Sequence, residues 1–248
     1  MERHFEKELR QIKRQILEMG GLAESMIQDS IESLVKQNEE AAFRALRSEE
    51  RMNMLQNTLD ELCLKALALR QPLAGDLRFL VAVLKMTADL ERIGDNAVNI
   101  VEAARRLMKE PPIKPYVDLP RMATRVANMT HTALDGLVRW DDKLAMTVTM
   151  ADDEVDNLRN QIFRELLTHM MADPTKIPSC LQLILISRFY ERIGDHATNI
   201  AEEVIYMVSG KDVRHHQHDE WVQTQTEGKP APDLGPDNAG EMDASAEQ

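Results

Sequence analysis

Apolar side chains return every three or four residues along most of this chain, as at Leu22, Met26, Ile27, Ile31, Leu34 and Val35. That spacing is the period of an amphipathic helix with one buried face. No proline interrupts residues 2–71, so nothing stops the pattern from running in long helices. A second helix is predicted from about Asn38 to Arg70, stopped by Pro72, and a third from about Asp76 to Met108, stopped by Pro111 and Pro112. The Gly20–Gly21 pair weakens the first helix locally and predicts a kink there.

The pattern then restarts. Aligned with itself at an offset of 103 residues, the chain places Met19 on Met122, Met26 on Met129, Leu34 on Leu137 and Glu50 on Asp153. Near the third helix the offset falls to 100, and ERIGDNAVNIVE at 91–102 lands on ERIGDHATNIAE at 191–202. The three missing residues predict a shorter connection around Asp173 to Ile177. The chain is therefore expected to be all-α: six helices in two tandem three-helix bundles, an internal duplication with pseudo-two-fold symmetry. The expected boundaries are 1–108 for the first repeat, 109–119 for a proline-rich connector and 120–209 for the second repeat. From 210 to 248 the composition turns polar and a flexible tail is expected, with His215, His216 and His218 in it.

Composition narrows the function classes. Aromatic residues make up only 4 %, while Met numbers 15, so the core must be aliphatic and methionine-rich. The net charge of −12 repels phosphate-rich polymers and anionic lipid, so neither nucleic acid nor bare membrane is an expected partner. Cys63 and Cys180 lie in different repeats without metal-ligand spacing and read as small buried apolar residues. The charged first 14 residues hold no apolar signal region, and no apolar run approaches the roughly 18 residues of a membrane span. A cytoplasmic location is expected.

The candidate chemistry lies on the third helix of each repeat. At about 100° per residue, Glu91, Asp95, Asn99 and Glu102 share one narrow face, and Glu191, Asp195, Asn199 and Glu202 share its counterpart. The opposite side carries Met86, Leu90, Ile93, Ala97, Ile100 and Ala104, the core side of that helix. Like charges four apart cost a helix about 0.2–0.5 kcal/mol, and no Lys or Arg follows at i+4 to offset them. The two copies differ at intervening positions, Asn96 to His196 and Val98 to Thr198, yet every stripe residue is the same. On the preceding helix Asp152 and Asp156 repeat the spacing, with Glu49 and Asn53 in the first copy. Carboxylates on adjacent helices without thiolate form a hard oxygen site, suited to Mg²⁺, Mn²⁺ or iron. His196 is read as a surface or interface side chain, and Arg92 and Arg192 are expected to pair with acids on a neighbouring helix. Gly94 and Gly194, each costing about 1 kcal/mol in a helix, call for close helix approach or room beside the stripe.

With its doubled ERIGD-x-A-x-N-I signature, its paired E(D)-x-x-x-D motifs and its six-helix length, the chain resembles the PhoU family over about residues 15–208. The resemblance implies a cytoplasmic negative regulator of phosphate uptake and phosphate-starvation signalling. It would act as a metal-binding adaptor between the ATPase of a phosphate-specific ABC transporter and a phosphate-sensing histidine kinase, reaching the membrane only through them. A homodimer is expected. The resemblance also implies metal ions, often iron clusters, on the acidic pairs. The metal residues are then Glu49, Glu91, Asp95 and Glu102 in the first repeat, and Asp152, Asp156, Glu191, Asp195 and Glu202 in the second. Asn53 puts a neutral amide where the family motif has a carboxylate, so the first site is expected to be the weaker.

The rival from another class is a carboxylate-bridged iron store or redox bundle. Such sites use Glu-x-x-His on two helices, and no histidine of this chain has a Glu three residues before it. No nucleophile with an adjacent base and no glycine-rich phosphate loop stands out, so no catalysis is expected.

Overall fold

The structure, a computed structural model, describes residues 2–211 and residue 213. Seven α-helices follow in order: α1 Glu2–Val35, α2 Glu39–Arg70, α3 Ala74–Leu107, α4 Asp118–Arg139, α5 Asp142–Thr149, α6 Asp152–Ala172 and α7 Ile177–Ser209. No strand occurs among the described residues. The expected second helix of the second repeat is thus drawn as two segments, α5 and α6, separated at Met150–Ala151. There a tighter hydrogen bond, Ala151 N–H to Val148 C=O at 3.0 Å, replaces the regular ladder. The expected tail, including His215, His216 and His218, lies outside the described residues except for its first positions.

Local chemistry sets the helix ends. Asn38 caps α2, its Oδ1 accepting from the N–H groups of Glu40 at 2.9 Å and Ala41 at 3.3 Å. Asp141 does the same for α5, accepting from Leu144 N–H at 2.9 Å. The three-residue deficit of the second repeat falls between α6 and α7, where a single 3-10 turn, Pro174–Lys176, stands in for the first turn of α3. Pro120 sits in the first turn of α4, where a missing N–H costs nothing.

In the first bundle α1, α2 and α3 each pack on the other two; in the second, α4, α5 and α6 pack against α7. All seven helices fall within one compact unit. The bundles meet mainly through α3 and α7, with α1 against α4 beside them. Along the main seam Arg78 pairs with the Met207 carbonyl, Lys85 with Glu203, Asp89 with His196 and Arg106 with Gln182. Numbers rising on α3 meet numbers falling on α7, so the equivalent helices run antiparallel, as a local two-fold between the repeats requires. Tyr190 of α7 is fully buried at this junction, and its hydroxyl shares a 3.0 Å hydrogen bond with Ser30 of α1.

Gly20 has a different role from the expected one. Helix α1 runs through Gly20–Gly21 without a break, and a Cβ at Gly20 would overlap Leu134 Cδ1 of α4, whereas one at Gly21 would meet nothing. The first glycine serves close approach between the bundles. Cys63 and Cys180 are both buried free thiols, and burial pushes Cys63 up to about 12, far from a reactive thiolate.

Candidate acidic site

The hydrophobic side of α3 and α7 fixes where their acids point. Leu90, Ile93, Ala97 and Ile100, with Tyr190, Ile193, Ala197 and Ile200, are all fully buried, which turns Glu91, Asp95, Glu191 and Asp195 outward along the edge shared with α2 and α6. In the second bundle Asp152 and Asp156 of α6 come up against that edge. Asp152 feels the charges of Asp195, Asp156, Asp153 and Glu191, and burial together with that repulsion raises its carboxyl to about 6. Asp195 is raised by burial and by Asp156, opposed by His196, Arg159 and Arg192. Glu191 is raised by burial, and Arg159 works against the shift.

Gly194 lets this happen. A Cβ on it would lie 3.4 Å from Asp152 Oδ1 and 3.5 Å from Val155, so the bare backbone of α7 leaves the Asp152 carboxylate room against the helix. Gly94 faces Met26 and Met52 at 3.4 Å instead, an apolar helix contact with no acid in it.

Arg159 is the residue that motif spacing did not reveal. Its guanidinium donates to Glu191 at 2.9 Å and stands 3.8 Å from Asp156, partly neutralising the cluster from inside. At the 103-residue offset its counterpart is Gln56, so comparing the halves position by position would have exposed it.

The first bundle holds a looser version. Burial raises the Glu91 carboxyl, helped by Asp95 and, more weakly, Glu49, and opposed by Arg92 and His196. Arg92 pairs with Glu91 at 3.7 Å and Asp95 at 3.8 Å on its own helix, not with a neighbouring helix as expected. Its side chain is mostly exposed, so these are weak surface pairs. Glu102 and Glu202 lie eleven residues further along their helices, about 16 Å from Glu91 and Glu191. Glu102 is half exposed and pairs with Arg106 at 4.0 Å. His196 is an interface side chain, its Nδ1 2.9 Å from Asp89.

The second-bundle donors suit a hard cation: Asp152, Asp156, Glu191 and Asp195 offer only oxygen, repel one another, and lie beside a cradle that a Cβ would narrow. They do not form a ready cage. Among the described residues no three His, Cys, Asp or Glu side chains converge as metal ligands, and Arg159 holds two of the four acids. No described helix is long and apolar enough to cross a membrane.

Comparison with known proteins bears on this arrangement. Residues 16–104 and 119–204 each match the PhoU domain. A phosphate-specific transport system accessory protein PhoU homolog of Pseudomonas putida is 40 % identical over 212 residues, covering 85 % of this chain and 83 % of the relative. The accessory protein PhoU of Escherichia coli K12 is 36 % identical over 216 residues, covering 87 % of this chain and 90 % of its own. The crystal structure of PhoU from Pseudomonas aeruginosa superposes with a TM-score of 0.81 at 38 % identity, covering 84 % of this chain and all of that one. A Streptococcus pneumoniae phosphate transport system regulatory protein PhoU shares the fold, with a TM-score of 0.77 at 24 % identity over 85 % of this chain and all of its own.

Proposed function

Because the chain belongs to the PhoU family, we propose that it is an accessory regulator of phosphate uptake, a cation-binding adaptor and not an enzyme. In this reading it works in the cytoplasm with the ATPase of a phosphate-specific ABC transporter and with a phosphate-sensing histidine kinase, restraining the starvation response when phosphate is plentiful. It assembles as a homodimer and reaches the membrane through those partners. What supports the uptake role is the doubled domain match together with accessory-protein relatives that align along most of both chains.

The cation part rests on one observation: the crowding of Asp152, Asp156, Glu191 and Asp195 beside Gly194. These four would hold the ion, with Glu49, Glu91 and Asp95 forming the weaker counterpart and Glu102 and Glu202 extending each stripe. A bound Mg²⁺, Mn²⁺ or iron ion supplies positive charge that the cluster lacks. The chain's own residues do the rest: Gly194 leaves space, α6 and α7 fix the carboxylates, and Arg159 releases Glu191 and Asp156 when a stronger counter-charge arrives.

The uptake role is tested by deleting the gene in its own host and measuring a starvation-responsive reporter in phosphate-rich medium. The reading expects the reporter to come on without starvation and to be silenced again by the intact gene. A reporter that stays off in the deletion strain contradicts the regulatory role.

A further inference from the structure

Away from the carboxylates, the first bundle carries an arginine-lined groove between α1 and α2. It is an open channel of about 340 Å³ lined by Ser25, Asp29, Arg44, Arg47, Ser48 and Arg51, with Leu22 at its floor. Arg44, Arg47 and Arg51 fall at i, i+3 and i+7, one face of α2. Two of them are already oriented: Asp29 accepts from Arg44 at 2.6 and 3.0 Å, and Glu18 accepts from Arg51 at 2.5 Å. Arg47 is different. Its Nε reaches the Phe43 carbonyl at 3.4 Å, and among the described residues no carboxylate lies within ion-pair distance of it.

The second bundle has the same groove without the charge. A channel of about 220 Å³ between α4 and α5 is lined by Arg125, Asn128, Thr132, Thr147 and Ala151 among others. At the 103-residue offset Thr147, Met150 and Glu154 replace the three arginines. The groove therefore comes with the fold, whereas its positive lining belongs to one copy. Three guanidinium groups against one lining carboxylate make it cationic on a chain of net charge −12.

We propose that this groove binds a phosphoryl group, carried by inorganic phosphate or by a phosphate ester. A guanidinium presents a planar fork of donors, and one carboxylate fills one fork. Three forks on one face, with the Ser25 hydroxyl at the rim, call for an anion with more than two acceptor oxygens and more than one negative charge. A phosphoryl group has both, and charge-assisted bonds of this kind are about twice as strong as neutral ones. The proposal is independent of the cation site and of the role in uptake, because it uses none of the same residues.

The test uses the full chain, treated with chelator so that no metal bridges the anion. Inorganic phosphate and glycerol phosphate are titrated separately by calorimetry, against wild type, Arg47→Gln and Arg125→Gln. At least one of the two anions is expected to bind with a Kd of about 1 mM or tighter. Arg47→Gln should weaken it by about tenfold or more, with thermal melting unchanged because Arg47 holds no ion pair in the fold, and Arg125→Gln should leave it unaltered. Phosphate alone binding assigns the groove to the free ion; the ester binding as well or more tightly assigns it to a phosphorylated molecule. Failure of both to bind, or equal binding by Arg47→Gln, overturns the proposal.

Discussion

Lys85 on α3 places its ammonium 2.9 and 3.1 Å from the two carboxylate oxygens of Glu203 on α7, and Glu203 is buried at the seam between the bundles. Lys85 keeps part of its side chain in water, so it neutralises a buried acid at moderate desolvation cost. Lys85→Met removes that counter-charge and should cost about 1–3 kcal/mol in urea unfolding. The double variant Lys85→Met with Glu203→Met should recover most of the loss, since matched apolar groups can replace a buried pair. A single variant within a few tenths of wild type would show that the bridge contributes no more than a surface pair.

The paired glycines of α1 separate propensity from packing. Gly21 points into open space, so Gly21→Ala should raise stability by about 0.5–1 kcal/mol through helix propensity alone. Gly20→Ala gains the same propensity but must push Leu134 aside, so its net gain should be smaller or negative. Denaturant midpoints of the two variants decide; equal stabilisation would mean that the α1–α4 contact yields freely.

The fold was largely legible because duplication prints one helical pattern twice. The stops at Pro72 and Pro111 and the 103-residue register located helices that the structure ends at Arg70 and Leu107. What periodicity could not show was contact between helices far apart in sequence. Gly20 looked like a kink because its partner Leu134 lies 114 residues away, and the break of α5 from α6 at Met150 has no proline or glycine to announce it. The stripes were visible as a face of α3 and α7, but Arg159, on another helix, was not. The arginines of the α1–α2 groove repeat within one copy only, so a search for shared residues passes over them.

Acid should firm the metal-free protein over a defined range. The Asp152 carboxyl holds its proton up to about 6 in the folded chain, against an ordinary value of 3.8, so the folded state binds more protons between those values. Stability from this group is therefore present at low pH and is lost as pH rises through about 6. Asp152→Asn mimics the protonated form: it should raise the Tm of chelator-treated protein most near pH 7.5, with the advantage shrinking toward about pH 5. A Tm difference independent of pH would show that Asp152 is not held in its raised state by its neighbours.

The same carboxylates bring metal and proton into competition. Binding of Mn²⁺ should weaken as pH falls through about 6, because the ion needs the ionised acids that protons neutralise. Titrations at a series of pH values check this, and an affinity flat across the range would place the ion elsewhere.

The most direct measurement of the account's central claim is metal content and Mn²⁺ affinity in three proteins: wild type, the pair Glu191→Gln with Asp195→Asn, and the pair Glu91→Gln with Asp95→Asn. These swaps keep side-chain size and relieve repulsion, so the apo fold should be unharmed or firmer by a few tenths of a kcal/mol. Wild type is predicted to bind more tightly in the second bundle, where Asp156 stands in place of Asn53, so the first pair of substitutions should abolish the tighter binding and the second only the weaker. Unchanged stoichiometry and affinity in the Glu191→Gln and Asp195→Asn protein would contradict the claim and leave the acidic stripe as a solvated helix face.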